Sequence, residues 1–444
     1  MGRYFGTDGI RGKANGTLDV QRAYQVGRYL GYYYSKNGRG RILVGKDTRL
    51  SSGMFESAIA AGASASGADV YLLGYCPTPA VAYLVREEKF NCGVMISASH
   101  NPYYDNGIKV FSQEGIKLSA DVEALIEDYI DGKEEIALCT GENIGNVHRY
   151  DEGLENYLDW MESLFDFTLE KFHIALDVAN GSATTTAEKL LRRMNAHVTV
   201  IHSEPNGVNI NTNCGSTHTE SLQKLMKSGN FDIGFAFDGD ADRLIAVDPE
   251  GNPLNGDYIL YICGKYMKEK GLLKGNTIVS TVMANLGFYK AMEKLDIHTE
   301  STQVGDKYVY ECMVNNDYYL GGEQSGHITF REHATTGDGL LTALKLLEVM
   351  HNTGLSVDEL KQGLKIYPQL LVNVKVNDKE AAMKDPAMLA EVEKVNEELQ
   401  GNGRILVRPS GTEPLVRVMV EAETDELCSK YVYRVVDLIE QSGL

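Results

Sequence analysis

Three short polar loops of this 444-residue chain carry side chains that could do chemistry, and each loop directly follows an apolar run. The loops read SASHNP (97–102), DGDADR (238–243) and GEQSGH (322–327). Ligands of α/β proteins bind beyond the carboxyl ends of the strands, so a polar loop placed after a strand is where a site is expected. These three loops are therefore the first candidates for functional sites.

The second loop places three carboxylates, those of Asp238, Asp240 and Asp242, within five residues. Such carboxylates repel one another unless a cation lies between them, and oxygen ligands favour a hard ion such as Mg²⁺. An EF-hand calcium loop requires Gly at its sixth position and Glu at its twelfth, where this chain has Arg243 and Pro249. The pattern predicts a magnesium site, and a solvated acidic turn is the alternative.

The first loop offers Ser99 as a hydroxyl nucleophile, with His100 beside it and Lys109 on the apolar run that follows. A phosphoserine near a carboxylate-held metal and cationic donors is a reasonable phosphoryl donor, because the transferring oxygens develop negative charge. Taken singly, Ser99 reads as a turn serine, His100 as a structural histidine and Lys109 as a solvated lysine at a strand end. Only their combination with the acidic loop favours catalysis.

A fourth segment, RPSGTEP (408–414), lies between two predicted strands near the C-terminus. It offers a guanidinium, two hydroxyls and the backbone N–H groups of a glycine turn, which together could hold a phosphate group. The same residues are equally consistent with an ordinary hairpin turn that binds no ligand. The residues proposed to bind phosphate are Arg408, Ser410, Gly411 and Thr412, with Arg417 adding a second cation from the next strand.

Composition and missing motifs exclude several other classes of protein. A formal net charge of −19 argues against binding to nucleic acid, which draws its affinity from Lys and Arg. Seven scattered cysteines without a CxxC pair suggest neither disulfides nor zinc, and no apolar run approaches the ~18 residues of a membrane span. The chain lacks a Walker motif, GxGxxG, HExxH and GxSxG, and its acidic loop lacks the threonine of a DxDxT phosphatase.

Short apolar runs alternate with longer helical patterns through most of the chain, which is typical of α/β domains with parallel or mixed sheets. This alternation predicts three successive α/β domains, at 1–152, 153–254 and 255–366. The segment 367–444 has strands with helices on one side and is predicted to be a smaller α+β domain. A strand is expected at 318–322, directly before the third polar loop.

In this order and at these separations, the four loops resemble those of the α-D-phosphohexomutase superfamily, and the resemblance covers essentially the whole chain. The segments FGTDGIRG (5–12), ISASHNP (96–102), GEQSGH and RPSGTEP are most similar to those of a bacterial branch that acts on glucosamine phosphates. Members acting on glucose or mannose phosphates usually vary these loops. The resemblance implies four domains around a central cleft.

The resemblance also implies roles for individual residues. Ser99 would carry the phosphate and, with Asp238, Asp240 and Asp242, coordinate one Mg²⁺ per subunit. Cations and an imidazole would surround the transferring group, namely Arg11, His100, Lys109 and Arg243. The sugar hydroxyls would be bound by Glu323, Ser325 and His327, and the distal phosphate by Arg408, Ser410, Gly411, Thr412 and Arg417. Lys109, assisted by His100, is the expected general acid and base.

The reaction implied is an intramolecular phosphoryl transfer between glucosamine 6-phosphate and glucosamine 1-phosphate, in amino-sugar metabolism that supplies peptidoglycan precursors. Glucosamine 1,6-bisphosphate would be the intermediate and the activator. The alternatives are a mutase of other hexose phosphates and a catalytically silent phosphosugar-binding protein. We further expect a cytoplasmic protein whose partner is a small phosphosugar, with no nucleic acid or membrane involved, and the sequence is compatible with a homodimer.

Overall fold

A computed structural model describes residues 2–410 and 414–442. The chain divides into two compact units, of which the first contains Met1–Met283 and Ile297–Lys361. The second contains Ala284–Asp296 and Gln362–Leu444. Four β-sheets, three in the first unit and one in the second, organise the described residues.

In the N-terminal part of the chain, seven described strands form a mixed sheet in the order β1-β2-β6-β5-β3-β4-β7. The strands are β1 (Phe5–Gly6), β2 (Gly9–Lys13), β3 (Arg41–Lys46), β4 (Asp69–Tyr75), β5 (Cys92–Ile96), β6 (Asp105–Ser112) and β7 (Val147–Arg149). The helices are α1 (Val20–Tyr34), α2 (Ser52–Ala65), α3 (Thr78–Glu87) and α4 (Ala120–Ile130). Strands β3 and β5 are parallel and almost wholly buried, as their runs of apolar residues predict.

Five strands within residues 2–410 form the second sheet, in the order β12-β11-β10-β8-β9. They are β8 (His173–Asp177), β9 (His197–Ile201), β10 (Ile233–Phe237), β11 (Leu244–Val247) and β12 (Pro253–Leu254), with helices α5 (Gly153–Ser163), α6 (Ala187–Arg193) and α7 (Glu220–Ser228). Strand β10 is parallel to β8 and antiparallel to β11, and the tight turn between β10 and β11 contains the acidic loop. This turn brings the three aspartates to one end of the sheet.

The third sheet has four described strands in the order β14-β13-β15-β16. These are β13 (Thr277–Thr281), β14 (His298–Thr302), β15 (Leu320–Gly322) and β16 (Ile328–Phe330). The accompanying helices are α8 (Gly256–Glu269), α10 (Asp306–Asn315), α11 (Gly339–Thr353) and α12 (Val357–Leu360). Helix α9 (Leu286–Lys294) follows β13 in the chain but belongs to the second unit. The third polar loop joins the antiparallel pair β15 and β16. Short 3₁₀ helices lie elsewhere, at Gly141–Asn143, Ser182–Thr185 and Lys274–Asn276.

The second unit contains an antiparallel sheet whose three described strands have the order β17-β19-β18. They are β17 (Gln369–Lys375), β18 (Arg404–Pro409) and β19 (Leu415–Glu421), with helices α13 (Lys379–Met383), α14 (Pro386–Leu399) and α15 (Asp425–Ser442). Helix α9 belongs to this unit because the buried carboxylate of Glu421 accepts hydrogen bonds from the Leu286 N–H at 2.9 Å and from Arg404 Nε at 2.8 Å.

The observed sheets confirm three α/β segments followed by a smaller α+β segment. The first three sheets are mixed, because the antiparallel strands β2 and β6, β11, and β16 flank the parallel strands of the first, second and third sheets. The third-sheet strand predicted at 318–322 is shorter, Leu320–Gly322. The predicted domain limits stay a prediction.

No helix in the described part of the chain combines the length and the apolar character needed to cross a membrane. The cytoplasmic location and the homodimer stay predictions.

Candidate active site

The first polar loop brings the Ser99 hydroxyl to the acidic loop. Ser99 lies between β5 and β6, is buried, and has a left-handed backbone with φ of 54°. Its Oγ donates a hydrogen bond to Asp238 Oδ2 at 2.6 Å, and its backbone N–H donates to Ser97 Oγ at 2.9 Å. The predicted nucleophile and the first predicted metal ligand are therefore in direct contact.

The three aspartates of the acidic loop are buried together. Asp238, Asp240 and Asp242 each offer one carboxylate oxygen, and these oxygens all lie within 4.8 Å of one another. Burial, and then the negative charges of Asp242 and Asp240, raise the pKa of Asp238 well above its usual range. Among residues 2–410 and 414–442, Oδ1 of Asp240 and Oδ1 of Asp242 are buried without a hydrogen-bond partner. Clustered, buried and partly unpaired carboxylate oxygens fit a hard divalent cation.

Lys109, on β6, faces the same carboxylates. Its Nζ lies 2.8 Å from Asp240 Oδ2, 2.9 Å from Asp242 Oδ2 and 3.1 Å from Asp8 Oδ2. Burial lowers the pKa of Lys109, but these carboxylates outweigh burial and hold the pKa well above the usual range. Lys109 would lose part of this stabilisation if Asp240 and Asp242 also held a divalent cation, which would bring its pKa closer to that needed for proton transfer.

His100 lies beside the nucleophile, in surroundings that lower its pKa. Burial, followed by the positive charges of Arg243 and Arg11, lowers the pKa of His100 to about 4. The His100 Nδ1 lies 3.0 Å from Arg243 Nη1 and 3.3 Å from Ser99 Oγ. The lowered pKa disfavours the protonated imidazole that a general acid would need. The electrostatics therefore favour Lys109 over His100 as the proton donor.

Three charged residues that the sequence did not single out extend this network. Asp8 forms one ion pair with Arg11 and a second with Lys117, whose Nζ is 2.7 Å from Asp8 Oδ1. Lys117 also pairs with both carboxylate oxygens of Asp306, at 2.7 and 2.6 Å. Asp8 was within reach of sequence reasoning, since it lies in the FGTDGIRG segment with Arg11. Lys117 and Asp306 gave no such signal, because 189 residues separate them.

Two of the three residues predicted in the third polar loop, Glu323 and Ser325, lie near each other, whereas His327 is buried with other partners. Glu323 accepts the Gly305 N–H at 3.0 Å through Oε1, and the exposed Ser325 Oγ lies 3.5 Å from Glu323 Oε2. His327 is buried, with Nε2 accepting the Gly337 N–H at 3.2 Å and lying 3.6 Å from an oxygen of Asp306. His327 therefore lies beside the Lys117–Asp306 pair, while Glu323 and Ser325 lie together at the loop.

The fourth segment is described by itself because it belongs to the second unit. Arg408 on β18 is directly opposite Arg417 on β19 in the sheet register. Burial and the neighbouring charge of Arg417 lower the pKa of Arg408 from its ordinary value. Two adjacent guanidinium groups suit an anion, since the anion would relieve their mutual repulsion. Ser410 is buried, and its N–H donates to the Leu415 carbonyl at 2.9 Å. Gly411 and Thr412 lie outside the described residues.

Family models cover nearly the whole chain. The alpha/beta/alpha domains I, II and III of the phosphoglucomutase/phosphomannomutase family match residues 2–137, 155–251 and 255–367. The C-terminal domain of the same family matches residues 371–438.

Curated relatives and solved structures agree with these matches. The chain is 54% identical to a phosphoglucosamine mutase of Lachnoclostridium phytofermentans, covering 100% of this chain and 99% of that protein. It is 53% identical to the phosphoglucosamine mutase of Lachnospira eligens, again covering 100% of this chain and 99% of that protein. The fold matches an Aspergillus fumigatus N-acetylphosphoglucosamine mutase, solved with GlcNAc-6P and magnesium, at a TM-score of 0.73, 19% identity and coverage of 99% and 96%. The chain therefore belongs to the phosphoglucomutase/phosphomannomutase family.

Proposed function

We propose that this protein interconverts glucosamine 6-phosphate and glucosamine 1-phosphate by way of phospho-Ser99. The observation that carries the chemistry is the contact of Ser99 Oγ with Asp238 Oδ2 at 2.6 Å, beside the buried carboxylate cluster and Lys109. The choice of sugar is supported by the relatives named phosphoglucosamine mutase, which are 54% and 53% identical over the whole chain.

Asp238, Asp240 and Asp242, together with phospho-Ser99, would hold one Mg²⁺. The donor set is made of hard oxygens, and the Oδ1 atoms of Asp240 and Asp242, which accept no hydrogen bond from the described residues, offer further capacity. When bound, Mg²⁺ would supply a Lewis acid that neutralises charge on the transferring phosphoryl group. The chain itself contributes the burial that keeps water from these oxygens.

In the proposed first transfer, the phosphorus leaves Ser99 Oγ and bonds to the free hydroxyl oxygen of the sugar phosphate. Lys109, as the neutral amine, takes the proton of that hydroxyl and passes it to the departing Ser99 Oγ, so that one proton is exchanged for the phosphoryl group and glucosamine 1,6-bisphosphate forms. The bisphosphate then turns over. In the second transfer Ser99 Oγ gives its proton to Lys109 as it attacks the other phosphorus, and Lys109 passes the proton to the departing sugar oxygen. Arg243 and Arg11 lie near His100 and Ser99 as cations for the phosphoryl oxygens. Enzyme that loses its bisphosphate needs added bisphosphate to regain phospho-Ser99.

Substrate contacts are proposed for two further groups of residues. Glu323 and Ser325 would bind the middle hydroxyls of the sugar, which exchange places approximately when the ring turns over. Arg408, Arg417 and Ser410 would hold the phosphate that is not being transferred. The participation of Gly411 and Thr412 stays a prediction, and so does sugar binding by His327, whose buried Nε2 accepts the Gly337 N–H.

Substrate choice is tested by measuring kcat/KM for the 6-phosphates of glucosamine, glucose and mannose with the same phosphorylated enzyme. We expect glucosamine 6-phosphate to be preferred. An equal or higher kcat/KM for glucose or mannose 6-phosphate would make the protein a mutase of other hexose phosphates. If no sugar phosphate is converted and intact-protein mass spectrometry finds no phosphate on Ser99, the protein binds phosphosugars without catalysis.

Arg408→Ala is expected to loosen the hold on the bisphosphate intermediate. A charge-assisted hydrogen bond contributes about 1.5 to 3 kcal/mol, so losing it should weaken binding roughly tenfold or more. KM should rise, free 1,6-bisphosphate should accumulate in solution, and turnover should depend more on added bisphosphate. Release is followed by ³¹P NMR during turnover.

Lys384→Ala is the matched control for Arg408→Ala, because it removes a cation that is 78% exposed in the same unit. The control should behave like the parent enzyme. If Arg408→Ala releases no more bisphosphate than Lys384→Ala and keeps its KM, RPSGTEP is an ordinary hairpin turn.

A further inference from the structure

The backbone of the Ser99 loop has a conformation that needs support from its surroundings. Ser99 has a φ of 54°, in the left-handed region that residues other than glycine rarely adopt. Such residues persist where the surrounding structure over-determines them, often at functional sites. What holds Ser99 in this conformation therefore also determines where its Oγ points.

Arg49, in the loop after β3, contacts the carbonyl groups of this loop. Its side chain is fully buried, and its Nη2 donates to the Ser99 carbonyl at 2.7 Å. Its Nη1 donates to the carbonyls of Asn101 at 2.9 Å, Pro102 at 2.5 Å and Asp105 at 3.3 Å. One planar guanidinium thus gathers four carbonyl oxygens of the segment that contains the nucleophile.

The guanidinium of Arg49 is itself held in place by a buried counterion. Asp47 Oδ2 accepts from Arg49 Nε at 2.8 Å, and neither side chain is accessible to solvent. Asp47 Oδ1 accepts from Ser52 Oγ at 2.8 Å and from the Arg49 N–H at 3.0 Å. The pair is neutral overall, so the role of Arg49 is to orient the loop rather than to add charge near the phosphate.

A second donor reaches the same carbonyls from the second sheet region. Asn211 Nδ2 lies 2.8 Å from the Ser99 carbonyl oxygen and 3.0 Å from the Asn101 carbonyl oxygen. Gly239 of the acidic loop also packs against this point, since a Cβ at Gly239 would lie 2.5 Å from the Ser99 carbonyl oxygen. The Ser99 carbonyl is therefore fixed on several sides, which leaves its Oγ directed at Asp238.

We infer that Arg49 is a positioning residue for phosphoryl transfer, which holds Ser99 in its left-handed conformation and sets the direction of Oγ toward Asp238. Asn211 assists from the other side of the same carbonyl group. This inference rests on the proposed function, because it concerns the geometry of the phosphate carrier.

The test compares Arg49→Lys with Arg28→Lys, a matched control in the same sheet region. Arg28 is also buried and donates to the backbone carbonyls of Ala65, Ile136 and Ala137, none of which belongs to the Ser99 loop. Lysine keeps the positive charge in both variants but cannot reproduce the planar fork. Loss of stability should be similar in the two variants, so differences in catalysis report on the Ser99 loop.

We expect Arg49→Lys to lower kcat by about 100-fold, the scale of an ångström misplacement, with KM changed less than about threefold. Arg28→Lys should keep the kcat of the parent. Phosphorylation of Ser99 by a hexose 1,6-bisphosphate, followed by intact-protein mass spectrometry, should slow in the same proportion. This second readout requires no particular sugar specificity, so it distinguishes failure of the inference from failure of the proposed substrate.

If Arg49→Lys does not fold, the phosphorylation rate of Ser99 in Asn211→Gly tests the inference instead. It removes the amide donor without uncovering a charge, and glycine tolerates the left-handed φ of 58° at this position. Slower phosphorylation of Ser99 in Asn211→Gly supports the inference. The inference is overturned if Arg49→Lys and Arg28→Lys show equal kcat and equal phosphorylation rates, or if Asn211→Gly phosphorylates like the parent.

Discussion

Ser99→Ala is expected to abolish mutase turnover while the protein remains folded. The substitution removes the one oxygen that carries the phosphoryl group between the two half-reactions, and removal of a covalent nucleophile can cost on the order of 10⁶-fold in kcat. Alanine should be tolerated structurally because Ser99 already places a Cβ in the left-handed backbone. Asp238 loses a hydrogen-bond donor, which should lower the free energy of unfolding by about 1 to 3 kcal/mol.

The measurement for Ser99→Ala combines turnover, thermal unfolding and intact-protein mass. Ser57→Ala is the control, since it removes an exposed hydroxyl that donates to the Gly53 carbonyl within helix α2. The control should turn over like the parent and carry phosphate on Ser99. Turnover of Ser99→Ala near the parent rate would end the phosphoserine mechanism.

Asp240→Asn should weaken magnesium-dependent activity by at least about 100-fold, because loss of a supporting residue around a metal already costs 10 to 100-fold. The amide keeps the shape of the carboxylate but lacks the charge that holds a hard cation. Its oxygen can still accept the hydrogen bond from Thr78 Oγ1, so the loop should keep its conformation. Lys109 loses one of its carboxylate partners, which should also lower its pKa.

Titration of turnover with Mg²⁺, and Mn²⁺ binding followed by electron paramagnetic resonance, measure this effect separately from catalysis. Asp159→Asn is the control, because that carboxylate is 69% exposed and remote in sequence from the acidic loop. A magnesium titration of Asp240→Asn that matches those of the control and the parent would remove Asp240 from the metal site.

Each of the two loops could be recognised as a candidate site because each follows an apolar strand. The strands β5 and β10 belong to different sheets, so only the family resemblance implied that the loops meet, and the structure places Ser99 Oγ 2.6 Å from Asp238 Oδ2. The antiparallel pairing of β6 with β5 was harder to predict, since it depends on a loop whose conformation the amino-acid sequence does not specify. That pairing is what brings Lys109 to the aspartates.

Other contacts of the site could not be predicted from the sequence. Asp8 lies in a recognisable segment, but its pairing with Lys117 spans more than a hundred positions, and ion pairs of this kind follow no fixed spacing. The role of Arg49 could not be predicted from the sequence either, because its partners are backbone carbonyls, which every residue possesses. His100 was predicted as an assistant in proton transfer. Its pKa of about 4 depends on burial and on Arg243 and Arg11, which only the folded chain brings near it.

The most direct test of the central claim is to follow the phosphate of Ser99 through a single turnover. Enzyme carrying ³²P on Ser99 is mixed with a stoichiometric amount of glucosamine 6-phosphate and quenched at millisecond intervals. We predict that the label leaves Ser99, appears first in glucosamine 1,6-bisphosphate and then in glucosamine 1-phosphate or back on Ser99, at a rate no slower than kcat. Label that stays on Ser99 while product forms at the full rate would contradict the account.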